Sequence, residues 1–186
     1  MSPYIGSMRT LMAVLGLVAA LLADDTKLNV AVGKPAPGIS LPSLGDERQR
    51  FSLRDFVEPS RCLHRKVCRP VVLAFWSTSC IPCRKELPRL QAWVDAHPNV
   101  LFWPILVDGT AETLAGTQAL ERLGAHTLGL HDLYQVAGER YGVCKRSMCN
   151  VPALIVIGED GDVKLAHQGY DPNSNLEAQL DQALHR

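Results

Sequence analysis

Apolar positions along the chain fall into continuous runs and periodic stretches that predict the elements. Residues 71–76 (Val-Val-Leu-Ala-Phe-Trp), 99–107 and 153–157 are strand-length and largely apolar. Strands of that kind are buried on both sides, as in a sheet covered by helices. Between the first two, residues 80–96 place Leu87, Leu90 and Val94 on one face at helical spacing, with Pro88 expected to kink the helix. Residues 113–123 and 131–141 read as two further helices, stopped by Gly124 and Gly142. Glu159-Asp160-Gly161-Asp162 reads as a hairpin turn that folds 163–168 back on 153–157. A last helix over 176–185 opens after Pro172-Asn173-Ser174-Asn175. Upstream, 39–41 and 51–53 are short alternating pieces, and 58–70 is a polar loop containing prolines. The predicted order is two short strands followed by β-α-β-α-α-β-β-α. Strand–helix–strand requires a parallel pair, and the late hairpin supplies an antiparallel edge. The fold class is therefore α/β, with a mixed central sheet and helices on both faces.

The N-terminus has a different pattern. Residues 11–22 are an unbroken apolar or Gly run with Arg9 before it and Asp24-Asp25 after it. That length suits a secretory core of ~7–15 residues and falls short of the ~17–25 of a spanning helix. Residues 1–23 are expected to be a signal peptide or an uncleaved signal anchor, 24–32 a linker, and 33–186 one domain. No cysteine follows the run to suggest a lipoprotein anchor.

Composition adds three constraints. A chain of 186 residues with 47% hydrophobic and 20% charged content suits one globular domain with its own core. Nineteen basic residues balance nineteen acidic ones, which argues against a nucleic-acid partner. The small basic cluster of Arg61, His64, Arg65, Lys66 and Arg69 reads as a solvated loop. Six cysteines behind an export signal point to an oxidising compartment.

The chemistry concentrates at Cys80-Ile81-Pro82-Cys83, where the strand 71–76 hands over to the helix 80–96. Ser77-Thr78-Ser79 before it is a capping signal. A helix N-terminus offers unpaired N–H groups and the positive end of the helix dipole, and both favour a thiolate at Cys80. The thiolate is the nucleophile of disulfide exchange. Cys83 lies one turn further on, and Pro82 is tolerated in a first turn. Two alternatives stand beside this reading: half of a zinc site, completed at unusual spacing by Cys62/Cys68 or Cys144/Cys149, and a purely structural disulfide. Neither a cofactor nor a metal is expected.

Residues 74–88, Ala-Phe-Trp-Ser-Thr-Ser-Cys-Ile-Pro-Cys-Arg-Lys-Glu-Leu-Pro, resemble the active-site segment of the TlpA/ResA-like thiol–disulfide oxidoreductases of the thioredoxin superfamily. The resemblance continues upstream at 33–41 and downstream at Val151-Pro152 and Gly161-Asp162-Val163. It implies a thioredoxin-like three-layer fold with an added N-terminal β-hairpin. It implies that Cys80 is the attacking thiolate, Cys83 the resolving thiol, Glu86 an acid that manages protons, and Pro152 a cis-proline facing the dithiol. Trp76, Ile81, Pro82 and Val151 would join Pro152 in the substrate-binding surface. Ordinary thioredoxins carry an Asp in the strand before the motif, and Ala74 in that place makes Glu86 the better candidate acid. The chain departs from the family at Ser79, where Trp is usual, and the missing ring should expose Cys80 more.

The resemblance further implies an extracytoplasmic enzyme that reduces disulfides of exported proteins, such as apocytochrome c or copper-site proteins, with a membrane thiol carrier as electron donor. The rivals are a disulfide oxidase using the same dithiol and a thiolate copper-binding module with His64, His131 or His167 as extra ligands. A peroxidase is disfavoured, because its cysteine usually sits in a T-x-x-C setting without an adjacent resolving Cys. In the implied fold, Cys62 and Cys68 precede one end of the central strand and Cys144 and Cys149 precede the cis-proline at the other. A strand of that length spans roughly 20 Å, whereas disulfide Cα atoms lie about 4.4–6.8 Å apart. Local structural disulfides Cys62–Cys68 and Cys144–Cys149 are expected, with electron exchange with the catalytic pair as an alternative role for the second.

Overall fold

Ser40–Pro42 (β1) and Arg50–Ser52 (β2) pair antiparallel, Leu41 facing Phe51, and a short helix Arg54–Val57 (α1) follows. The apolar run becomes Val71–Trp76 (β3), buried at every position. Next come the helix Ile81–Asp95 (α2), Leu101–Leu106 (β4), Thr113–Arg122 (α3), Leu130–His131 (β5) and Val136–Tyr141 (α4). Cys144–Lys145 (β6) and Met148–Cys149 (β7) form a small hairpin, and Ala153–Ile157 (β8), Val163–Gln168 (β9) and Leu176–Leu184 (α5) complete the chain. This computed structural model describes residues 27–58, 60, 62, 68–109 and 113–185. The expected signal segment and Arg61, His64, Arg65 and Lys66 lie outside the described residues. No helix among the described residues is long and apolar enough to cross a membrane.

The central sheet has the order β5-β4-β3-β8-β9. β3 runs parallel to β4 and antiparallel to β8, with Phe75 opposite both Ile105 and Ala153. Strand alternation divides the sheet's apolar side chains between two layers. Val72, Ala74, Trp76, Phe102 and Leu154 pack with Leu87 and Leu90 of α2, Leu120 of α3 and Leu180 of α5. Leu73, Phe75, Trp103, Ile105 and Ile155 pack with Val57, Tyr141 and Leu41 from α1, α4 and the β1–β2 hairpin. The expected thioredoxin-like fold with its N-terminal hairpin is what the chain adopts.

β4 carries Pro104 in mid-strand. The carbonyl of Phe102 accepts the Thr127 hydroxyl, and that of Leu106 accepts the Asp132 N–H, so this edge faces β5. β5 pairs only Ile105 and Leu106, so the ring of Pro104 falls where no ladder bond is needed.

Three local expectations change. The helix expected over 131–141 begins only at Val136, because Leu130 and His131 extend the sheet alongside β4 and Gln135 has φ of 56°. The β6–β7 hairpin and α1 add elements that the periodicity did not reveal. From Leu28 onward, the stretch expected as linker lies along the domain. Asn29 N–H donates to the Tyr141 carbonyl at 2.9 Å, and Leu28 and Val30 pack on the core.

Candidate active site

β3 ends at Trp76, and the three residues after it turn the chain into α2. Asp108, just beyond β4, latches this turn: its Oδ2 accepts both the N–H and the hydroxyl of Thr78, each at 2.6 Å. Arg84 donates from α2 to the Thr78 carbonyl at 2.8 Å. The Val107 N–H donates to the Trp76 carbonyl at 3.0 Å. Asp108 is a positioning residue that motif reasoning missed; its only signal was an acid directly after a buried strand at the sheet end that carries the motif.

Cys80 is the N-cap of α2, and its Sγ accepts the N–H of Cys83 at 3.1 Å. Cys80 and Cys83 are joined as a disulfide with Cα atoms 5.3 Å apart. Once the pair is reduced, the same N–H and the helix end favour the Cys80 thiolate. Cys80 is 9% exposed and Cys83 1%, so Cys80 is the more accessible sulfur of the pair. Exposed Ser79 leaves Cys80 only at the margin of burial, in place of the wider opening its missing ring suggested. Ile81, 66% exposed, and Pro82 flank Cys80 at the surface.

Glu86 follows Cys83 by three residues, so the two share the inner face of α2. Burial pushes its carboxyl up to about 7, partly offset by the nearby Arg89 guanidinium. An acid poised there can both give and take a proton near neutral pH.

The Val151–Pro152 bond is cis. β8 begins at Ala153, opposite Phe75, so Val151 and Pro152 lie at the end of β3 from which Cys80 follows. Pro152 is buried, and its carbonyl accepts the Gly169 N–H at 2.9 Å. Val151 is half-buried against the cluster that contains Cys80 and Cys83. Among the described residues, its own N–H and carbonyl take no backbone partner.

Trp76 needs a correction. It was expected at the substrate surface, yet it is 1% exposed. Alternation along β3 points it with Val72 and Ala74 into the layer covered by α2, α3 and α5.

The remaining cysteines form Cys62–Cys68, with Cα atoms 5.0 Å apart, and Cys144–Cys149, at facing positions of the β6–β7 hairpin. Among the described residues, no three His, Cys, Asp or Glu side chains are grouped so as to hold a metal ion. His131, a candidate copper ligand, is buried with Nε2 on the Asp108 carbonyl at 2.9 Å and Nδ1 near the Thr113 hydroxyl at 3.4 Å. His167 sits on β9 opposite Leu154, and His64 lies outside the described residues.

A profile of the AhpC/TSA family matches residues 32–166. The thiol-disulfide oxidoreductase ResA of Halalkalibacterium halodurans is 25% identical over 130 residues, covering 70% of this chain and 71% of that protein. The sporulation thiol-disulfide oxidoreductase A of Bacillus subtilis is 54% identical over 28 residues, 15% of this chain and 17% of that protein. A Chlorobium tepidum protein assigned as the thiol:disulfide interchange protein DsbE superposes with a TM-score of 0.63 at 25% identity, covering 83% of this chain and 99% of that one. The chain belongs to the AhpC/TSA family and is a thiol–disulfide oxidoreductase with a thioredoxin-like fold.

Proposed function

We propose that the enzyme works outside the cytoplasm and reduces disulfides of exported proteins, taking electrons from a membrane thiol donor. The observation that carries the reading is Cys80 at the N-terminus of α2, with open main chain at Val151 nearby and Glu86 on the Cys83 face. The Cys80 thiolate attacks one sulfur of the substrate disulfide. That bond breaks, its electron pair leaves on the second substrate sulfur, and the new thiolate takes a proton. Cys83 then loses its proton to the Glu86 carboxylate and attacks the Cys80 sulfur of the mixed disulfide. The substrate departs as a dithiol, Cys80–Cys83 is the oxidised product, and an external dithiol returns two electrons and two protons. An extended substrate strand can pair with Val151 while this happens. The export signal and the two further disulfides, Cys62–Cys68 and Cys144–Cys149, support an oxidising compartment. Apocytochrome c and copper-site proteins are the substrate classes to test first.

The deciding experiment uses Cys83→Ser protein with a peptide disulfide and a redox titration of the wild type. The expected result is a trapped mixed disulfide on Cys80 and a potential near or below roughly −270 mV. A potential near roughly −120 mV transfers the assignment to the oxidase. Absence of any mixed disulfide removes the Cys80 role.

A further inference from the structure

The β6–β7 hairpin combines three features that the Cys80–Cys83 chemistry does not use. Cys144 and Cys149 face each other across it, with Cα atoms 4.0 Å apart. The two residues that close the turn, Arg146 and Ser147, have φ of 50° and 65°, although neither is Gly. Side chains disfavour that region, and two-residue turns with both φ positive usually carry Asn-Gly or Asp-Gly. The disulfide therefore clamps a turn that its own residues resist.

The second feature is access. Met148 at the tip is 75% exposed and Cys149 is half-buried, whereas Cys144 is 3% exposed and packs its sulfur against Gly138. A solvent-open cavity of about 550 Å³ borders the hairpin, and among the described residues Cys144, Met148 and Cys149 line it. The third feature is connection. β7 runs directly through Asn150 into Val151–Pro152, and the Asn150 N–H donates to the Val143 carbonyl across the base of the hairpin at 2.8 Å.

We infer that Cys144–Cys149 is a second redox site, reduced by an external dithiol, whose state sets how firmly Val151–Pro152 is held for substrate. A donor thiolate attacks the Cys149 sulfur. The Cys144–Cys149 bond breaks, and its electron pair leaves on the Cys144 sulfur, which takes a proton. The donor's second thiol then loses its proton and attacks the donor sulfur of the mixed disulfide, freeing Cys149 as a thiol. The donor ends as a disulfide and the hairpin as a dithiol, two electrons having moved. The turn then relaxes, and the main chain leading to Val151 loses its covalent clamp. The second half of this inference rests on the proposed substrate-binding role of Val151; the first does not.

The test uses the full chain with Cys80→Ser/Cys83→Ser, so that the hairpin is read apart from the catalytic pair. The protein is treated with dithiothreitol under native conditions, thiols are trapped with a maleimide mass tag, and peptides are assigned by mass spectrometry. Cys144 and Cys149 should be tagged about tenfold or more faster than Cys62 and Cys68, because opening their bond releases the positive-φ turn at Arg146 and Ser147. Equal rates, or tagging only in denaturant, overturn the inference. Arg146→Asn/Ser147→Gly gives the turn residues that accept positive φ and should slow tagging severalfold; an unchanged or faster rate overturns the role of the turn. With Cys80–Cys83 intact, Cys144→Ala/Cys149→Ala should raise KM for a peptide disulfide about fivefold with little change in kcat. An unchanged KM overturns the gating step. Failure of the proposed function itself would show separately, as no turnover in the wild type.

Discussion

Glu86 lies three residues beyond Cys83 on the inner face of α2, and only 3% of it is exposed. A carboxyl and the resolving sulfur are thus enclosed on one apolar surface, with Leu87 and Leu90 beside them. Burial favours the neutral acid, and this has a consequence for stability as well as for proton transfer.

In the folded chain Glu86 titrates at about 7, against an ordinary value of 4.5. Its neutral form contributes fully below the unfolded value, and that contribution is lost as pH rises toward the folded one. Wild type should therefore lose up to about 3 kcal/mol between these pH values that Glu86→Gln does not lose. Urea unfolding at pH 4.5 and pH 8 checks this: the variant should match wild type at the lower pH and exceed it at the higher.

Arg89 makes a two-point contact with Glu177, Nε to Oε1 at 2.9 Å and Nη2 to Oε2 at 2.7 Å, joining α2 to the first turn of α5. The pair is partly exposed, so Arg89→Ala should cost only about 0.5–1 kcal/mol. The guanidinium also lowers the Glu86 carboxyl. Removing it should move the Glu86 midpoint above about 7, which carbon NMR of labelled glutamate can follow.

Gly142 ends α4 with φ of 78°, and a Cβ there would meet the Asn29 nitrogen at 2.4 Å. Gly142→Ala combines strain with a backbone clash and should destabilise by about 1–3 kcal/mol. Amide exchange at Asn29 should rise more than exchange in β3, because the segment Leu28 to Val30 is displaced first.

Trp103 on β4 holds the N-terminal hairpin and α1: the ring of Phe56 in α1 meets it edge-on at 5.5 Å and that of Phe51 in β2 at 6.4 Å. Trp103→Ala should cost about 3–5 kcal/mol in a denaturant titration. Limited proteolysis should then cut within β1–β2 before it cuts the central sheet.

The chain's local pattern determined a good deal. Unbroken apolar runs mark β3, β4 and β8 because a strand covered on both faces has no polar side to show. A Cys-x-x-Cys placed where a buried strand meets a helix carries its chemistry in its position, since the helix N-terminus is itself the thiolate-stabilising group. Tertiary structure alone decided the rest. Trp76 reads as part of an active-site motif, but the layer formed by α2, α3 and α5 buries it. Asp108 became the latch on Thr78 only when parallel pairing brought the ends of β3 and β4 side by side. His131 left a helical reading because β4 offered it an open edge. Periodicity reports which residues avoid water. Which neighbours enclose them, and hence where Glu86 titrates, depends on layers assembled from distant parts of the chain.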